Sequence, residues 1–444
     1  MNVGFISLGC SKNLVDTEIA IGIFKNKKYN IENDEKEADI IVINTCGFIE
    51  SAKEEAINTI LEMAEYKKKR CKALIVMGCL VERYKEDLEK AIPEVDLFIK
   101  FSEYDDICEK LEQLLEEITY SIQQDYNRLE NYIDRVITTG NKTAYLRIAE
   151  GCSNRCTYCA NPYIRGSLRS RKIEDILEEV RYLASKGYEE LIIIAQDTTK
   201  YGIDLYNELK LAELLKEISK TDGIKWIRFL YSYPEGITDE LIETVSNNKK
   251  IAKYFDIPIQ HISNSILKKM NRKTSKENIT NIIEKIRNKI PEVTLRTSLI
   301  VGFPGETKEN FAELLEFIKT TKFDKLGTFM YSKEEGTPAA RLPEQIHGNT
   351  KKSRYNKVMK VQQEISKQIL ENKIGKTYNV LVEEISFDGK YFVGRTMQDV
   401  PEIDGLVYIK NDQNLKVEEI LNNFVECRIE KISNYDLLGE IITK

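Results

Sequence analysis

The first third of the chain sets short apolar runs between helical patterns. Val3-Gly4-Phe5-Ile6-Ser7-Leu8, Asp39-Ile40-Ile41-Val42-Ile43 and Ala73-Leu74-Ile75-Val76-Met77 are apolar at consecutive positions and rich in β-branched residues. Parallel strands buried on both faces have this pattern. Between the second and third runs, Ser51 to Tyr66 carries Ala52, Ala56, Ile57, Ile60, Leu61 and Ala64 at helical spacing. A helix burying that face is predicted. The alternation implies an N-terminal doubly wound α/β domain over residues 1–120.

A polar stretch from Ser121 to Lys142 is the expected linker. A second strand–helix series follows, with candidate strands at Ala144–Ala149, Glu190–Gln196, Trp226–Tyr231, Tyr254–Gln260, Thr294–Val301 and Lys325–Tyr331. The helix after the first places Ile173, Ile176, Leu177, Val180 and Leu183 on one face, and Gly187 is positioned to end it. Six βα units predict a partial or full TIM-type barrel over residues 143–372, closing with a helical run from Ser353 to Glu371. From Gly375 the period changes to two. Thr377–Val382, Tyr391–Arg395, Val407–Ile409 and Phe424–Ile432 alternate, with turns at Asp388-Gly389 and Asp404-Gly405. A small antiparallel β-barrel over residues 375–444 is expected.

Composition narrows the class. Charged residues are 31% of the 444 and hydrophobic residues 42%, as in a soluble globular protein. The N-terminus has no basic region followed by a long apolar run, and no run reaches membrane-spanning length. The expected location is cytoplasmic, with no membrane partner. Nine cysteines then argue for metal or redox chemistry rather than disulfides. A net charge of −6 offers no strong sign of nucleic-acid binding.

Three cysteines are packed into GCSNRCTYCANP as C-x3-C-x2-C: Cys152, Cys156 and Cys159. Three thiolates are one short of the four that fill a structural zinc or cubane site, so a four-iron cluster held there keeps one iron open. The alternative is a zinc knuckle with a distant fourth ligand, but the chain has two histidines and neither shows zinc-finger spacing. Cys10, Cys46 and Cys79 follow the first, second and third N-terminal strands. In a parallel sheet those ends share the edge where ligands bind, which makes a second three-thiolate set and a second cluster. Cys71, before a strand, Cys108, in a helix, and Cys427, in a late strand, read as buried small apolar residues. In the middle domain, Gln196-Asp197-Thr198-Thr199, Tyr231-Ser232-Tyr233-Pro234, Pro258-Ile259-Gln260-His261, Gly302-Phe303-Pro304-Gly305-Glu306 and Tyr331-Ser332 fall at C-terminal strand ends, the active face of βα barrels. His261 is a candidate catalytic acid/base or a hydrogen-bond donor to substrate.

These residues carry a family resemblance. The C-x3-C-x2-C loop with Tyr158 before its last cysteine resembles the signature of radical S-adenosylmethionine (SAM) enzymes. Leu8-Gly9-Cys10, Asn44-Thr45-Cys46 and Gly78-Cys79 resemble the methylthiotransferase subgroup, and the C-terminal barrel resembles a TRAM domain. SLGCSKNLVDTE, NTCGFIESAKEEAI, AQDTTKYGIDLY, DIPIQHISNSILKKM and YSKEEGTPAA resemble the ribosomal-protein branch, called RimO, more than the transfer-RNA branch, which usually has Gln-Met-Asn after its first cysteine. One departure is Ala160-Asn161-Pro162, where the family commonly has Ala-Ile-Pro.

The resemblance implies a radical SAM fold, two [4Fe-4S] clusters and SAM. Cys152, Cys156 and Cys159 would hold the cluster that cleaves SAM, with Tyr158 near the adenine. Gln196, Asp197, Gly302, Gly305 and Glu306 are the candidate walls of the SAM pocket. Cys10, Cys46 and Cys79 would hold the cluster that delivers sulfur, and a further SAM would supply the methyl. The implied reaction methylthiolates the β-carbon of an aspartate in small-subunit ribosomal protein twelve, with a reductant such as flavodoxin or ferredoxin. From Gly375 onward the chain has 8 Lys+Arg against 13 Asp+Glu, a net of −5. An acidic domain suits a basic protein partner better than RNA phosphates. A transfer-RNA methylthiotransferase and a non-catalytic two-cluster electron carrier are the alternatives.

Overall fold

The computed structural model describes residues 1–116, 135–411 and 416–442. Of the linker expected over 121–142, residues 121–134 lie outside the described residues. The chain packs as two compact units: Met1–Thr138 with Glu150–Leu168 and Ser332–Ala340, and Thr139–Ala149 with Arg169–Tyr331 and Arg341–Lys444.

The first unit is built on a parallel sheet. Its strands are β1 (Asn2–Ser7), β2 (Asn30–Glu32), β3 (Ile40–Thr45), β4 (Ala73–Gly78) and β5 (Leu97–Ile99), in the order β2-β1-β3-β4-β5. Every residue of β3 and β4 is buried, which explains their unbroken apolar runs. Helices α1 (Ser11–Asn26), α2 (Glu50–Ala64) and α3 (Cys79–Ala91) lie between strands, and α4 (Ile107–Glu116) follows β5. Val42, Ile75 and Met77 pack with Phe24 of α1 and Leu111 of α4. The opposite sheet face, through Ile41, Ile43, Leu74 and Val76, packs on Ala56 and Ile60 of α2 and Leu80 and Leu88 of α3. This is the expected doubly wound arrangement. The strand order reverses between β1 and β3, and the crevice at such a switch point is where ligands enter open α/β sheets.

Two features differ from the sequence reading. The edge strands β2 and β5 are three residues each, too short to show a period. In α2 the buried residues are Ala56, Ile60, Met63 and Ala64, while Ile57 and Leu61 are exposed. The helix buries one narrow stripe, and the apolar residues beside it face water. From Arg135 the chain is anchored on α1. Arg135 pairs with the Glu18 carboxylate, and the Thr138 amide donates to Glu18 Oε1 at 2.7 Å.

In the second unit, strands Thr143–Arg147, Glu190–Ile194 and Trp226–Phe229 form one parallel sheet, and Tyr254–Asp256, Thr294–Val301 and Lys325–Met330 another. Six strands make a partial barrel. The helix Ile173–Ser185 ends as expected, with Gly187 at φ +89° and the Tyr188 amide returning to Leu183 O at 3.2 Å. The C-terminal strands Thr377–Ile385, Tyr391–Thr396, Val407–Lys410, Phe424–Ser433 and Asp436–Ile441 close into a barrel. The fifth strand adds to the four read from sequence. Val407–Lys410 and Asp436–Ile441 pair in parallel, while the other pairings are antiparallel. A closed ring with an odd number of strands cannot alternate direction throughout, so one parallel seam is unavoidable.

The small barrel docks on the N-terminal ends of the larger barrel's strands, away from the strand-end motifs. Arg395 donates to Glu190 at 2.7 Å and to Thr143 at 3.3 Å, Arg228 donates to Glu190 at 3.1 Å, and Lys325 pairs with Asp399 at 2.7 Å. Burial by itself raises the Glu190 carboxyl, but the Arg395 and Arg228 charges bring it down to about 2. The stabilisation this represents is complete above the ordinary value of 4.5 and is lost as pH falls toward 2. Removing one partner strands a buried carboxylate. Arg395→Ala should therefore lower the unfolding free energy by about 3–5 kcal/mol. Urea denaturation of the full chain checks this, and an unchanged midpoint would show that the network does not hold the two barrels together. Among the described residues no helix is long and apolar enough to cross a membrane.

Candidate metal centre

Each N-terminal cysteine stands just beyond a strand of the sheet. Cys10 caps the N-terminus of α1, Cys46 follows β3, and Cys79 is the first residue of α3. A helix N-terminus favours a thiolate because its free N–H groups and dipole are positive there. Asn13, in the first turn of α1, ties the edge together. Its amide donates to Leu8 O at 3.0 Å and Thr45 O at 3.1 Å, joining the ends of β1 and β3. Its Oδ1 lies 4.0 Å from Cys10 Sγ and 3.5 Å from Cys79 Sγ.

Two glycines permit this approach. Gly9 and Gly78 both take left-handed backbone, with φ +98° and +100°. A Cβ on Gly9 would stand 2.8 Å from Cys46 Cβ, and one on Gly78 would stand 2.1 Å from Asn44 Oδ1. Gly9→Ala adds about 1–3 kcal/mol of backbone strain and pushes Cys46 away from Cys10. Iron bound after anaerobic reconstitution should fall by about half, because a second site needs none of these residues. Iron counting against the parent protein checks the loss.

Two of the three thiols, Cys46 and Cys79, resist ionising. Burial pushes Cys79 up to about 12, with Cys10 and Cys46 adding to the rise and the Arg165 charge opposing it. Burial also raises Cys46. At Cys10, whose surface faces solvent, the surrounding protein raises the thiol, but Lys12, Arg165 and the Asn13 and Lys12 amides bring it below its ordinary value. A cationic metal core removes this conflict by taking the place of the protons.

The second triple lies in a loop with a closed neck. The Cys152 amide donates to Gly166 O at 3.0 Å, the Leu168 amide to Ser153 Oγ at 3.2 Å, and the Cys159 amide to Cys156 O at 3.1 Å. Arg155, between the first two cysteines, takes left-handed backbone at φ +52°. Strain of this kind concentrates at functional sites. Burial and the neighbouring Cys156 and Cys152 push Cys159 up to about 12, and Lys12 opposes the rise. The Lys12 charge thus acts on a cysteine of each set. Tyr158 is half-buried in the same loop. A four-residue helix, Asn161–Ile164, follows with Pro162 in its first turn, so the unusual Asn161 still permits a turn. Ala160 and Ile164 pack into the core formed by β3, β4 and α1.

That turn delivers Arg165 to the N-terminal cysteines. Its Nη2 donates to Asp16 at 2.8 Å, Asn13 Oδ1 at 3.1 Å and Cys79 Sγ at 3.5 Å, while Nη1 reaches Glu150 at 3.1 Å. Both triples therefore belong to one compact unit, although they lie far apart in the chain. Among the described residues no three His, Cys, Asp or Glu side chains are grouped to hold one metal ion. Each set offers three thiols, the donor chemistry that would suit an iron–sulfur cluster. Cys71, Cys108 and Cys427 each lie buried in a separate apolar core.

The strand-end motifs of the second unit expose a different chemistry. Among the described residues, neither polar atom of the Gln196 amide has a hydrogen-bond partner, and the same holds for Ser232 Oγ, His261 Nε2 and Glu306 Oε1. Tyr231 and Gln260 take left-handed backbone at φ +61° and +67°. Asp197 is buried and accepts from the Thr199 hydroxyl at 2.6 Å, so it shapes the turn that follows Gln196. His261 is fully buried. Its Nδ1 accepts from the Ser263 amide at 3.0 Å, and Nε2 stands 3.7 Å from Glu306 Oε1. Glu306 in turn accepts from the Gly302 amide and pairs with Arg354 at 3.0 Å, folding the loop that contains Gly302 and Gly305. His261 Nε2 thus faces the Glu306 carboxylate of this loop from beyond hydrogen-bond distance.

Asn13, Asp16 and Arg165 were not singled out from the sequence. A signal existed in α1, where Asn13, Asp16 and Thr17 form a polar stripe at helical spacing on a face that is buried. A buried polar stripe needs partners, and Arg165 supplies one.

Known proteins match this architecture. Residues 146–318 match the radical SAM superfamily, residues 2–100 match Uncharacterized protein family UPF0004, and residues 374–442 match the TRAM domain. A solved structure of the radical S-adenosylmethionine methyltransferase TsrM from Kitasatospora setae, with cobalamin and a [4Fe-4S] cluster bound, superposes with a TM-score of 0.57. It covers 76% of this chain and 73% of that one at 11% identity, and shows a shared fold. Ribosomal protein uS12 methylthiotransferase RimO from Alkaliphilus oremlandii is 59% identical over 444 residues, 100% of both chains. The proteins of the same name from Acetivibrio thermocellus and Clostridioides difficile are each 50% identical over 100% of this chain and 98% and 99% of theirs. With its three matched domains and this identity along its whole length, the chain belongs to the RimO family of radical SAM methylthiotransferases.

Proposed function

We propose that this chain methylthiolates the β-carbon of an aspartate in ribosomal protein uS12. The observation that carries the reading is the pairing of two three-cysteine sets in one compact unit, each one thiolate short of a complete cluster. Cys152, Cys156 and Cys159 hold the [4Fe-4S] cluster at which SAM binds. Cys10, Cys46 and Cys79 hold the second, from which sulfur is delivered. Held by Cys152, Cys156 and Cys159, the first cluster would supply the one-electron chemistry for reductive cleavage of SAM.

The chain's own residues orient and shield this chemistry. Tyr158 would pack on adenine. Gln196 offers an amide with both atoms unpartnered among the described residues, and Gly302, Gly305 and Glu306 form a loop tied down by Arg354. His261, buried behind the loop, acts by position. The domains divide this work as residues 1–120 for sulfur delivery, 143–372 for SAM and 375–444 for docking of uS12. A small electron donor such as flavodoxin or ferredoxin serves as reductant, and the reaction takes place in the cytoplasm.

The transfer-RNA alternative shares both cysteine sets. The −5 charge from Gly375 onward supports a basic protein target, since a domain that follows RNA phosphates gains from the opposite sign. The test is to incubate the reconstituted enzyme, SAM and dithionite with uS12 and with transfer RNA, and to follow mass. The expected result is one methylthio group replacing one hydrogen on uS12, with about eight irons per chain. Addition to transfer RNA alone would overturn the substrate assignment. An electron carrier would release neither deoxyadenosine nor methionine.

A further inference from the structure

We propose that Arg165 is a positioning residue of the N-terminal cysteine site: it brings a fixed positive charge and an N–H donor to the Cys79 sulfur, and so sets the reduction potential of a cluster held by Cys10, Cys46 and Cys79. The inference rests on the reading of those cysteines as cluster ligands. Its basis is geometric. One guanidinium meets four groups: Asp16 at 2.8 Å, Asn13 at 3.1 Å, Glu150 at 3.1 Å and Cys79 Sγ at 3.5 Å. Its face also lies 4.7 Å from the centre of the Phe101 ring. Arg165 is almost wholly buried, at 5% exposure, so solvent screens its charge little.

Arginine suits this role where lysine does not. The planar fork addresses a carboxylate on one side and a sulfur on the other at once, and it stays protonated under all working conditions. Hydrogen bonds to cluster sulfurs and nearby net charge are two of the levers that set iron–sulfur potentials. A buried cation favours the reduced, more negative cluster. Asp16 and Glu150 hold the guanidinium in place and temper its charge.

The source of the charge matters as well. Arg165 lies six residues beyond Cys159, on the turn that closes the other cysteine loop. Folding of the loop that holds one set is therefore what places the cation on the other. The two sites are linked through the position of one side chain.

The test isolates the N-terminal site in the full chain by Cys152→Ala, Cys156→Ala and Cys159→Ala together. Iron is counted after anaerobic reconstitution, and the midpoint potential is read by dithionite titration followed by electron paramagnetic resonance. Into this parent are placed Arg165→Gln, Arg165→Lys and Asp16→Asn. Arg165→Gln is expected to lower the reduction constant about tenfold, or about 59 mV for one electron. Arg165→Lys should fall between it and the parent, and Asp16→Asn should shift the potential the opposite way. Opposite signs separate charge from loss of packing, which would move both variants alike. If Arg165→Gln keeps no iron, Arg165→Lys against Asp16→Asn decides by the same criterion. Potentials equal to the parent's, or shifts of one sign, would overturn the role of Arg165 while leaving the ligands intact. A parent without iron would instead overturn the ligand reading, and the inference with it.

Discussion

Cys156→Ala abolishes SAM cleavage: after reduction, deoxyadenosine and methionine stay at the level seen without protein. The reason lies in ligand number. The loop offers three thiolates, and removing one leaves two, too few to keep a cluster with one iron free for SAM. The loop itself should survive. Its neck is made by backbone bonds from Cys152 to Gly166 and from Cys159 to Cys156 O, and alanine keeps all of them. Cys156 is the buried member of the set, so its loss removes a small interior side chain and no exposed contact. The variant should retain about four irons, those of the N-terminal site. Chromatography of the SAM products with iron counting on the same sample checks both halves. Continued cleavage would place SAM chemistry elsewhere.

Cys46→Ala has the complementary effect. SAM cleavage continues, but no methylthiolated uS12 forms. Cys46 is buried behind Gly9, and burial together with Cys10 raises its thiol, so it takes part in the electrostatic conflict that a metal relieves. None of the bonds that hold the Cys152–Cys159 loop involves it. Mass spectrometry of uS12 alongside deoxyadenosine release separates the two activities. Full product from this variant would mean that Cys46 does not ligate the sulfur-delivering cluster. Cys71→Ala is the control: it lies before β4, at the other end of the strand from Cys79, with its thiol 3.2 Å from Ala73 O, and both clusters should persist without it.

These outcomes depend on how far residue patterns report position. Strands that are buried on both faces are legible, because every residue must be apolar whatever its neighbours. The runs at Val3, Ile40 and Ala73 became β1, β3 and β4 with bounds close to those expected. The residue after such a strand is then located at a known edge, which is why Cys10, Cys46 and Cys79 could be grouped before any distance was known. Amphipathic faces are less legible. Ile57 and Leu61 of α2 have the right spacing but lie exposed, since the width of a buried stripe depends on how closely the sheet approaches. The parallel seam of the C-terminal barrel was hidden because it follows from ring closure over five strands, a property of the whole.

Arg165 shows the same limit at the site. Nothing in its local sequence distinguishes it from a surface arginine. Its role comes from meeting Asp16, Glu150 and Cys79, residues separated from it by up to 149 positions. Sequence alone determined the layers and the family motifs and pointed to two cysteine sets, because burial and ligand chemistry restrict residue type at single positions. Only the tertiary structure decided that both sets belong to one compact unit and that one buried cation stands against Cys79. Charge and hydrogen bonding act through distance in space, which the order of residues along the chain does not contain.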